Sequence, residues 1–255
     1  MRNAGIKLIE SKGMFYNPIF HTANLNNDLG VNYMMLDLKM PKGVLFDLDG
    51  TLLDSAPDFI ASLDTLLKRH NKPKLDPEII RSHVSDGSWK LTSLGFNIDI
   101  SDEQCAVLRD ELLEEYESNL LQHGGAFDGI KEMLTSLEKD DIPYGIVTNK
   151  PLRFAKPILM NEIAFKDCKT LICPDHLNAI KPDPEGILRG CKDLGLHPAE
   201  CIYVGDHEKD LEAGINAGTQ VIACYFGYSL KASDHEDHIH GAHHPNELYE
   251  LISRL

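Results

Sequence analysis

The sequence predicts an α/β protein with a doubly wound, parallel-sheet, Rossmann-like core that carries a small inserted all-helical domain. Three observations predict it. Short apolar runs alternate with helical patterns over most of the chain, as in strand–helix–strand units with helices on both faces of a sheet. From residue 56 to about 124 that alternation gives way to helical periodicity alone. Polar residues follow directly on several apolar runs, at the strand ends where such sheets bind ligands.

Residues 1–39 show neither steady helical nor steady strand periodicity, and Asn17 to Asn32 is rich in asparagine. They read as a poorly ordered N-terminal extension (residues 1–40), with Met35 and Met40 as candidate natural starts. The organised pattern begins just after Met40. Val44 to Phe46 reads as a buried strand, followed by Asp47-Leu48-Asp49-Gly50-Thr51. Asp47 and Asp49 are two apart, so on extended backbone both side chains point the same way. Crowded carboxylates repel each other unless a cation or a proton intervenes, and a hard divalent cation such as Mg²⁺ suits oxygen donors. Gly50 permits a sharp turn there.

Ser55 reads as a helix cap, with Pro57 in the first turn and Phe59, Ile60, Leu63, Leu66 and Leu67 as the apolar stripe. Pro73 marks a stop. A short helix over Pro77 to Val84 and a helical turn through Trp89 to Leu94 follow, around a loop at Ser85-Asp86-Gly87. Ser101 and Gln104 have capping-box spacing ahead of the face Cys105, Leu108, Leu112, Tyr116 and Leu120. Residues 56–124 are thus the helical insert, and Gly124-Gly125 its exit hinge. Residues 41–55 and 125–255 form the core. There, Asp128 starts a helix through Leu137, Tyr144 to Val147 is a strand, and Leu152 to Glu162 a helix. Thr170 to Cys173 is a strand, with a helix after Pro184. Cys201 to Val204 is a strand, Lys209 to Ala217 a helix, Gln220 to Cys224 a strand, and a last helix begins at Asn246. His235, His238, His240, His243 and His244 read as hydrophilic loop residues rather than a metal site.

With 255 residues, 42% hydrophobic and 25% charged, the chain can bury a substantial core. Its formal net charge of −15 argues against nucleic-acid or anionic-membrane partners. An anionic substrate therefore needs a locally positive pocket. The six cysteines form no C-x-x-C pair, no apolar run approaches membrane-spanning length, and the N-terminus lacks a signal peptide's apolar region. A reduced, cytoplasmic protein is expected.

Taken together, Asp47 and Asp49 end one strand, Thr148-Asn149 another and Asp206 a third, with Asp210 one helical turn later. Lys181 lies in a loop stiffened by Pro182 and Pro184. A nucleophile, an acid/base and positive charge around a compact anion equip a site for phosphoryl transfer. D-L-D-G-T-L-L-D-S, V-T-N-K-P, I-K-P-D-P and V-G-D-H-E-K-D resemble, in order, the four motifs of haloacid dehalogenase-like phosphatases. Finer wording (S-A-P-D-F, C-P-D-H, E-A-G-I-N-A-G) resembles the phosphoglycolate and N-acetylmuramic acid 6-phosphate phosphatases. The resemblance covers the chain from about residue 41 and makes the helical insert a cap domain.

Carried over by motif position, the resemblance implies Asp47 as nucleophile and Asp49 as general acid and base. It implies Mg²⁺ held by Asp47, the Asp49 backbone carbonyl, Asp206 and Asp210. Thr148 and Asn149 would bind phosphoryl oxygens, and Lys181 would offset charge. Asp210 has a second reading as an acid favoured at its helix N-terminus. The expected function is hydrolysis of a small phosphorylated metabolite, with phosphoglycolate first and N-acetylmuramic acid 6-phosphate as the alternative. A phosphomutase, a dehalogenase and a non-catalytic binding protein are rivals; Asp49 speaks against the dehalogenase, and the intact set of Asp47, Asp49, Lys181 and Asp206 against the binding protein. The protein is expected to be a monomer or homodimer. His207 is expected to face solvent, Trp89 to lie in the core, and the Val84 to Lys90 loop to reach the active site.

Overall fold

The computed structural model describes residues 13–17, 22–26, 41–234 and 239–255. The chain divides into two units, Met1–Leu38 and Lys39–Leu255. Within the first, strands β1 (Gly13–Asn17) and β2 (Thr22–Asn26) pair antiparallel. Sequence periodicity predicts no strand there. The rest of the expected N-terminal extension lies outside the described residues.

The second unit is built on a six-stranded sheet. In chain order its strands are β3 (Gly43–Phe46), β6 (Tyr144–Val147), β7 (Leu171–Ile172), β8 (Cys201–Gly205), β9 (Gln220–Cys224) and β10 (His240–Ala242). The short β4 (Leu53–Asp54) and β5 (Gly125–Ala126) pair separately. Spatially the order is β10-β9-β8-β3-β6-β7, and every neighbouring pair is parallel. The chain therefore builds from β3 outward to β7, then returns to place β8 on the other side of β3. That reversal makes the β3/β8 boundary the topological switch point, where a crevice opens beyond the strand ends.

Alternation along β3 sends Val44 and Phe46 to one face and Leu45 to the other. The first face packs on α5 (Ile130–Lys139), α6 (Leu152–Asn161) and α9 (Leu248–Arg254) through Met133, Leu137, Ile158 and Ile252. The second packs on α7 (Glu185–Asp193) and α8 (Glu208–Ala217) through Ile187, Cys191 and Ala213. This is the doubly wound core expected from the strand–helix alternation.

Helices α1 (Ala56–Arg69), α2 (Pro77–Ser82), α3 (Ser88–Phe96) and α4 (Glu103–Asn119) surround an apolar cluster of their own, containing Leu63, Leu66, Leu91 and Leu112. Phe154 of α6 and Tyr228, beyond β9, join that cluster and tie it to the sheet. Arg81 of α2 makes a two-point ion pair with Asp54 at 3.1 and 3.0 Å, and the Tyr228 hydroxyl donates to the same carboxylate at 2.8 Å.

Several local expectations change. Ser55 precedes α1 but makes no cap bond, because it sits in helical rather than extended conformation; the Ala56 N–H donates to the Tyr228 hydroxyl instead. The cap of α4 is Asp102, whose carboxylate accepts from the Gln104 N–H, while Ser101 bonds to Asp99. Helix α5 starts after Gly129 rather than at Asp128. His240 belongs to edge strand β10, not to a loop; His235 and His238 lie outside the described residues.

Gly124 is a close-approach position, since a Cβ there would lie 2.4 Å from the Asp54 carbonyl oxygen. Beside it, buried Asp58 accepts from the N–H groups of Leu121, His123 and Gly124 at 2.8, 2.8 and 3.0 Å. Asp58→Ala orphans three backbone donors and is expected to cost roughly 2–3 kcal/mol. An unchanged denaturation midpoint for that variant would show that this bond set contributes nothing.

Candidate active site

Asp47 continues directly from β3, and its N–H donates to the Val204 carbonyl at 2.9 Å. The chain then turns tightly, with the Leu48 carbonyl accepting from Thr51, Leu52 and Leu53. Gly50 adopts φ +82°, and a Cβ on it would lie 2.3 Å from Asp206 Oδ2. Only glycine lets this loop close so tightly onto the neighbouring strand end.

Three carboxylates from two adjacent strand ends meet there: the ligand oxygens of Asp47, Asp206 and Asp210 all lie within 4.8 Å of one another, and all three residues are buried. Asp206 accepts from the Tyr228 N–H at 2.9 Å and the Ser85 hydroxyl at 3.2 Å. One oxygen of Asp210 accepts from the His207 N–H at 3.1 Å and the other meets Lys181 Nζ at 2.6 Å. Asp210 therefore lies in the acidic cluster and also bonds to the backbone at the start of its own helix.

Lys181 crosses from the loop before α7. Its ammonium contacts Asp47 Oδ1 at 2.7 Å, the Tyr203 hydroxyl at 2.8 Å and the Val147 carbonyl at 3.1 Å, besides Asp210. Burial alone would pull this lysine down, but Asp210 and Asp47 outweigh it and hold it well above 10.5. The acids behave oppositely. Burial pushes Asp47 up, crowding by Asp210 adds to that, and Lys181 offsets only part, leaving it at about 7. Burial, then Asp210 and Asp47, push Asp206 well above the ordinary range. So crowded an acid set is a natural seat for a divalent cation with hard oxygen donors.

Asp49 stands apart from that cluster. Its carboxylate turns to Lys150, whose Nζ lies 2.8 and 3.1 Å from its two oxygens. The same ammonium meets the Tyr116 hydroxyl of α4 at 2.7 Å and lies 4.7 Å from that ring's centre. Lys150 therefore joins the acid after β3 to the helical insert. Sequence reasoning assigned it no part; the signal was a lysine immediately after the strand-end pair Thr148-Asn149. Buried Thr148 accepts the Lys150 N–H through Oγ1. The Asn149 carboxamide braces the Lys181 backbone, accepting its N–H and donating to its carbonyl, both at 3.1 Å.

Asp47, Asp49, Thr148, Asn149, Lys150, Lys181 and Asp210 border one cavity of about 430 Å³, which extends to the helical insert; Asp206 lies outside its lining. Its other walls include Phe59, Trp89, Arg109, Tyr116 and Phe154. The Val84 to Lys90 loop does approach the acids, through Ser85. Two expectations fail here. Trp89 is 38% exposed and lines the cavity instead of filling a core. His207 is not solvent-facing: its side chain is 18% exposed, and Nε2 lies 3.7 Å from Asp86 of that loop.

The raised Asp47 and Asp206 give cation binding a pH dependence. A cation at this cluster must displace their protons, so its stabilisation grows as pH rises through about 7. Saturating Mg²⁺ is expected to raise the melting temperature by several degrees at pH 8 and much less at pH 5.5. Equal shifts at the two pH values would show that the cation binds elsewhere.

Known proteins resemble this chain throughout the second unit. The family model for haloacid dehalogenase-like hydrolases matches residues 44–224. The chain is 38% identical over 217 residues to the N-acetylmuramic acid 6-phosphate phosphatase of Pseudomonas aeruginosa, covering 84% of this chain and 95% of that one. It is 37% identical over 198 residues to a phosphoglycolate phosphatase of Xanthomonas campestris, covering 77% and 89%. Among crystal structures, a predicted phosphoglycolate phosphatase from Haemophilus somnus superimposes with a TM-score of 0.73 at 23% identity, covering 84% and 99%. That last likeness bears on the fold alone.

Proposed function

Since the chain belongs to the haloacid dehalogenase-like hydrolase family and is a phosphatase, we propose that it cleaves N-acetylmuramic acid 6-phosphate with Mg²⁺, through an aspartyl-phosphate on Asp47. The convergence of Asp47, Asp206 and Asp210 on one another, with Lys181 paired to Asp47 and Asp210, supports this reading. A buried carboxylate beside a fixed ammonium is a poised nucleophile only if the surrounding negative charge is neutralised.

In this reading Asp47 attacks phosphorus while the ester P–O bond breaks, and Asp49 gives its proton to the leaving oxygen. Asp49 then takes a proton from water, whose oxygen attacks the phosphorus and releases Asp47 and inorganic phosphate. Lys150 orients Asp49 from below the insert. Thr148, which lines the cavity, would bind a phosphoryl oxygen, and Lys181 balances charge on Asp47. Mg²⁺ held by Asp47, Asp206, Asp210 and the Asp49 carbonyl would supply charge neutralisation to the phosphoryl oxygens. Residues 41–55 and 125–255 are the catalytic core, and 56–124 a cap whose Ser85 reaches the acids and whose helices exclude water.

The cavity supports this substrate choice. At about 430 Å³, with Phe59, Trp89, Tyr116 and Phe154 in its walls, it has the room and aromatic surface for a sugar. The Pseudomonas relative's name points the same way. Phosphoglycolate is the second reading, favoured by relatives such as the Xanthomonas enzyme. Side-by-side kcat/KM on the two esters, with and without chelator, is the test. Preference for the muramic ester, abolished by chelation, is expected; faster phosphoglycolate hydrolysis would reverse the order, and full activity in chelator would remove the metal. No helix among the described residues is long and apolar enough to cross a membrane. The six unpaired cysteines fit a reducing compartment, the cytoplasm.

A further inference from the structure

We propose that Arg109 recognises a carboxylate on the substrate, so that the preferred substrates are phosphomonoesters that also carry a carboxyl group. The inference rests on the phosphatase reading above and deepens it.

Arg109 is the one basic side chain of α4, whose sequence EQCAVLRDELLEEYESN is otherwise acidic, and it borders the cavity. Its guanidinium is already oriented. Nε donates to the Ser88 hydroxyl at 3.0 Å, and the guanidinium carbon lies 4.7 Å from the centre of the Trp89 ring. Its acidic contact is Asp110 Oδ1 at 3.3 Å, on a side chain 73% exposed. A solvated pair of that kind is worth little and gives way readily to a better-shaped anion. The cavity's two buried ammonium groups, by contrast, are committed: Lys181 to Asp47 and Asp210, Lys150 to Asp49. Lys209 also borders the cavity but is exposed on α8.

The cavity wall thus holds a guanidinium fork set over the Trp89 ring, in a molecule of net charge −15. A guanidinium fork suits a carboxylate through two parallel N–H···O bonds. Such a contact selects the substrate by something other than its phosphate. The shared chemistry has two possible sources, the glycolyl carboxylate and the lactyl carboxylate of muramic acid, and each has a matched ester lacking it.

The experiment measures kcat/KM with Mg²⁺ on phosphoglycolate against 2-hydroxyethyl phosphate, and on N-acetylmuramic acid 6-phosphate against N-acetylglucosamine 6-phosphate. p-Nitrophenyl phosphate is the general control. The wild-type chain is expected to prefer the carboxylate in one pair by roughly 10- to 100-fold, and the pair that shows it identifies the source. Arg109→Gln should collapse that preference, mainly through KM, and Arg109→Lys should keep part of it. Lys209→Gln should retain the preference. A preference that survives Arg109→Gln, or is lost in Lys209→Gln instead, overturns the assignment. So does a wild-type chain that cleaves p-nitrophenyl phosphate but prefers neither carboxylate. Failure to cleave any of the five esters overturns the phosphatase reading, and this inference with it. Should Arg109→Gln fold poorly, the wild-type pairs and Arg109→Lys decide the matter.

Discussion

Asp47→Asn is expected to abolish turnover, by roughly 10⁴-fold or more in kcat, while leaving the fold intact. The amide can still accept the Lys181 hydrogen bond that Asp47 Oδ1 accepts at 2.7 Å, so the surroundings need not move. What is lost is the negatively charged oxygen proposed to attack phosphorus. The same variant carries a stability signature that an inactivating misfold would not. Burial first, and crowding by Asp210, raise folded Asp47 to about 7 from 3.8 in the unfolded chain. Between those values the native state binds more protons than the unfolded state, so wild-type stability falls as pH rises across that window. The neutral amide has no such term. In chelator, Asp47→Asn should therefore melt with wild type near pH 4 and above it at pH 8. Retained phosphatase activity would eliminate Asp47 as nucleophile, and a lower melting temperature at pH 8 would contradict the repulsion inferred here.

The second large effect is expected from Lys181→Met. Its ammonium is buried and makes four polar contacts, two of them to carboxylates. Removing it leaves Asp47 and Asp210 without their shared counter-charge, a change that costs roughly 3–5 kcal/mol when a buried ion pair loses one partner. Loss of charge stabilisation at the phosphoryl group should lower kcat/KM by about 10²–10³. The folded lysine lies above 10.5, so its stabilisation is complete at any working pH below that. Any pH dependence of the defect must come from the acids. It should shrink toward pH 5, where Asp47 takes up a proton in place of the missing charge. Urea unfolding at pH 8 and pH 5, paired with kinetics, measures both. A variant as stable and as active as wild type would show that the lysine is a bystander.

The strand–helix core was legible because its signals are local. Val44 to Phe46, Tyr144 to Val147 and Cys201 to Val204 are apolar runs ending in polar residues, and each lies on a central strand of the sheet. Elements whose stability comes from partners were not legible. Strand β10 has histidine at its start and exists by pairing with β9. The two-residue strands β4 and β5 are too short to carry a period. The cap residues erred by one position or by conformation, since Asp102 rather than Ser101 reaches the first amides of α4.

The candidate site divides the same way. Residue order along the chain was enough to mark the chemistry-bearing residues at strand ends: Asp47, Asp49, Thr148, Asn149 and Asp206, with Lys181 and Asp210 close behind. Those positions follow from backbone period and turn residues, which depend on neighbours along the chain. Which side chains meet depends on the folded arrangement. It put Lys150 between Asp49 and Tyr116, placed Ser85 on Asp206, engaged Asn149 with the Lys181 backbone, and turned Arg109 and Trp89 toward the cavity. Partners such as Ser85 and Asp206, 121 positions apart, are brought together by sheet order and helix packing. Charge and burial at a point depend on everything within a few ångströms of it, and no local pattern in the chain encodes that neighbourhood.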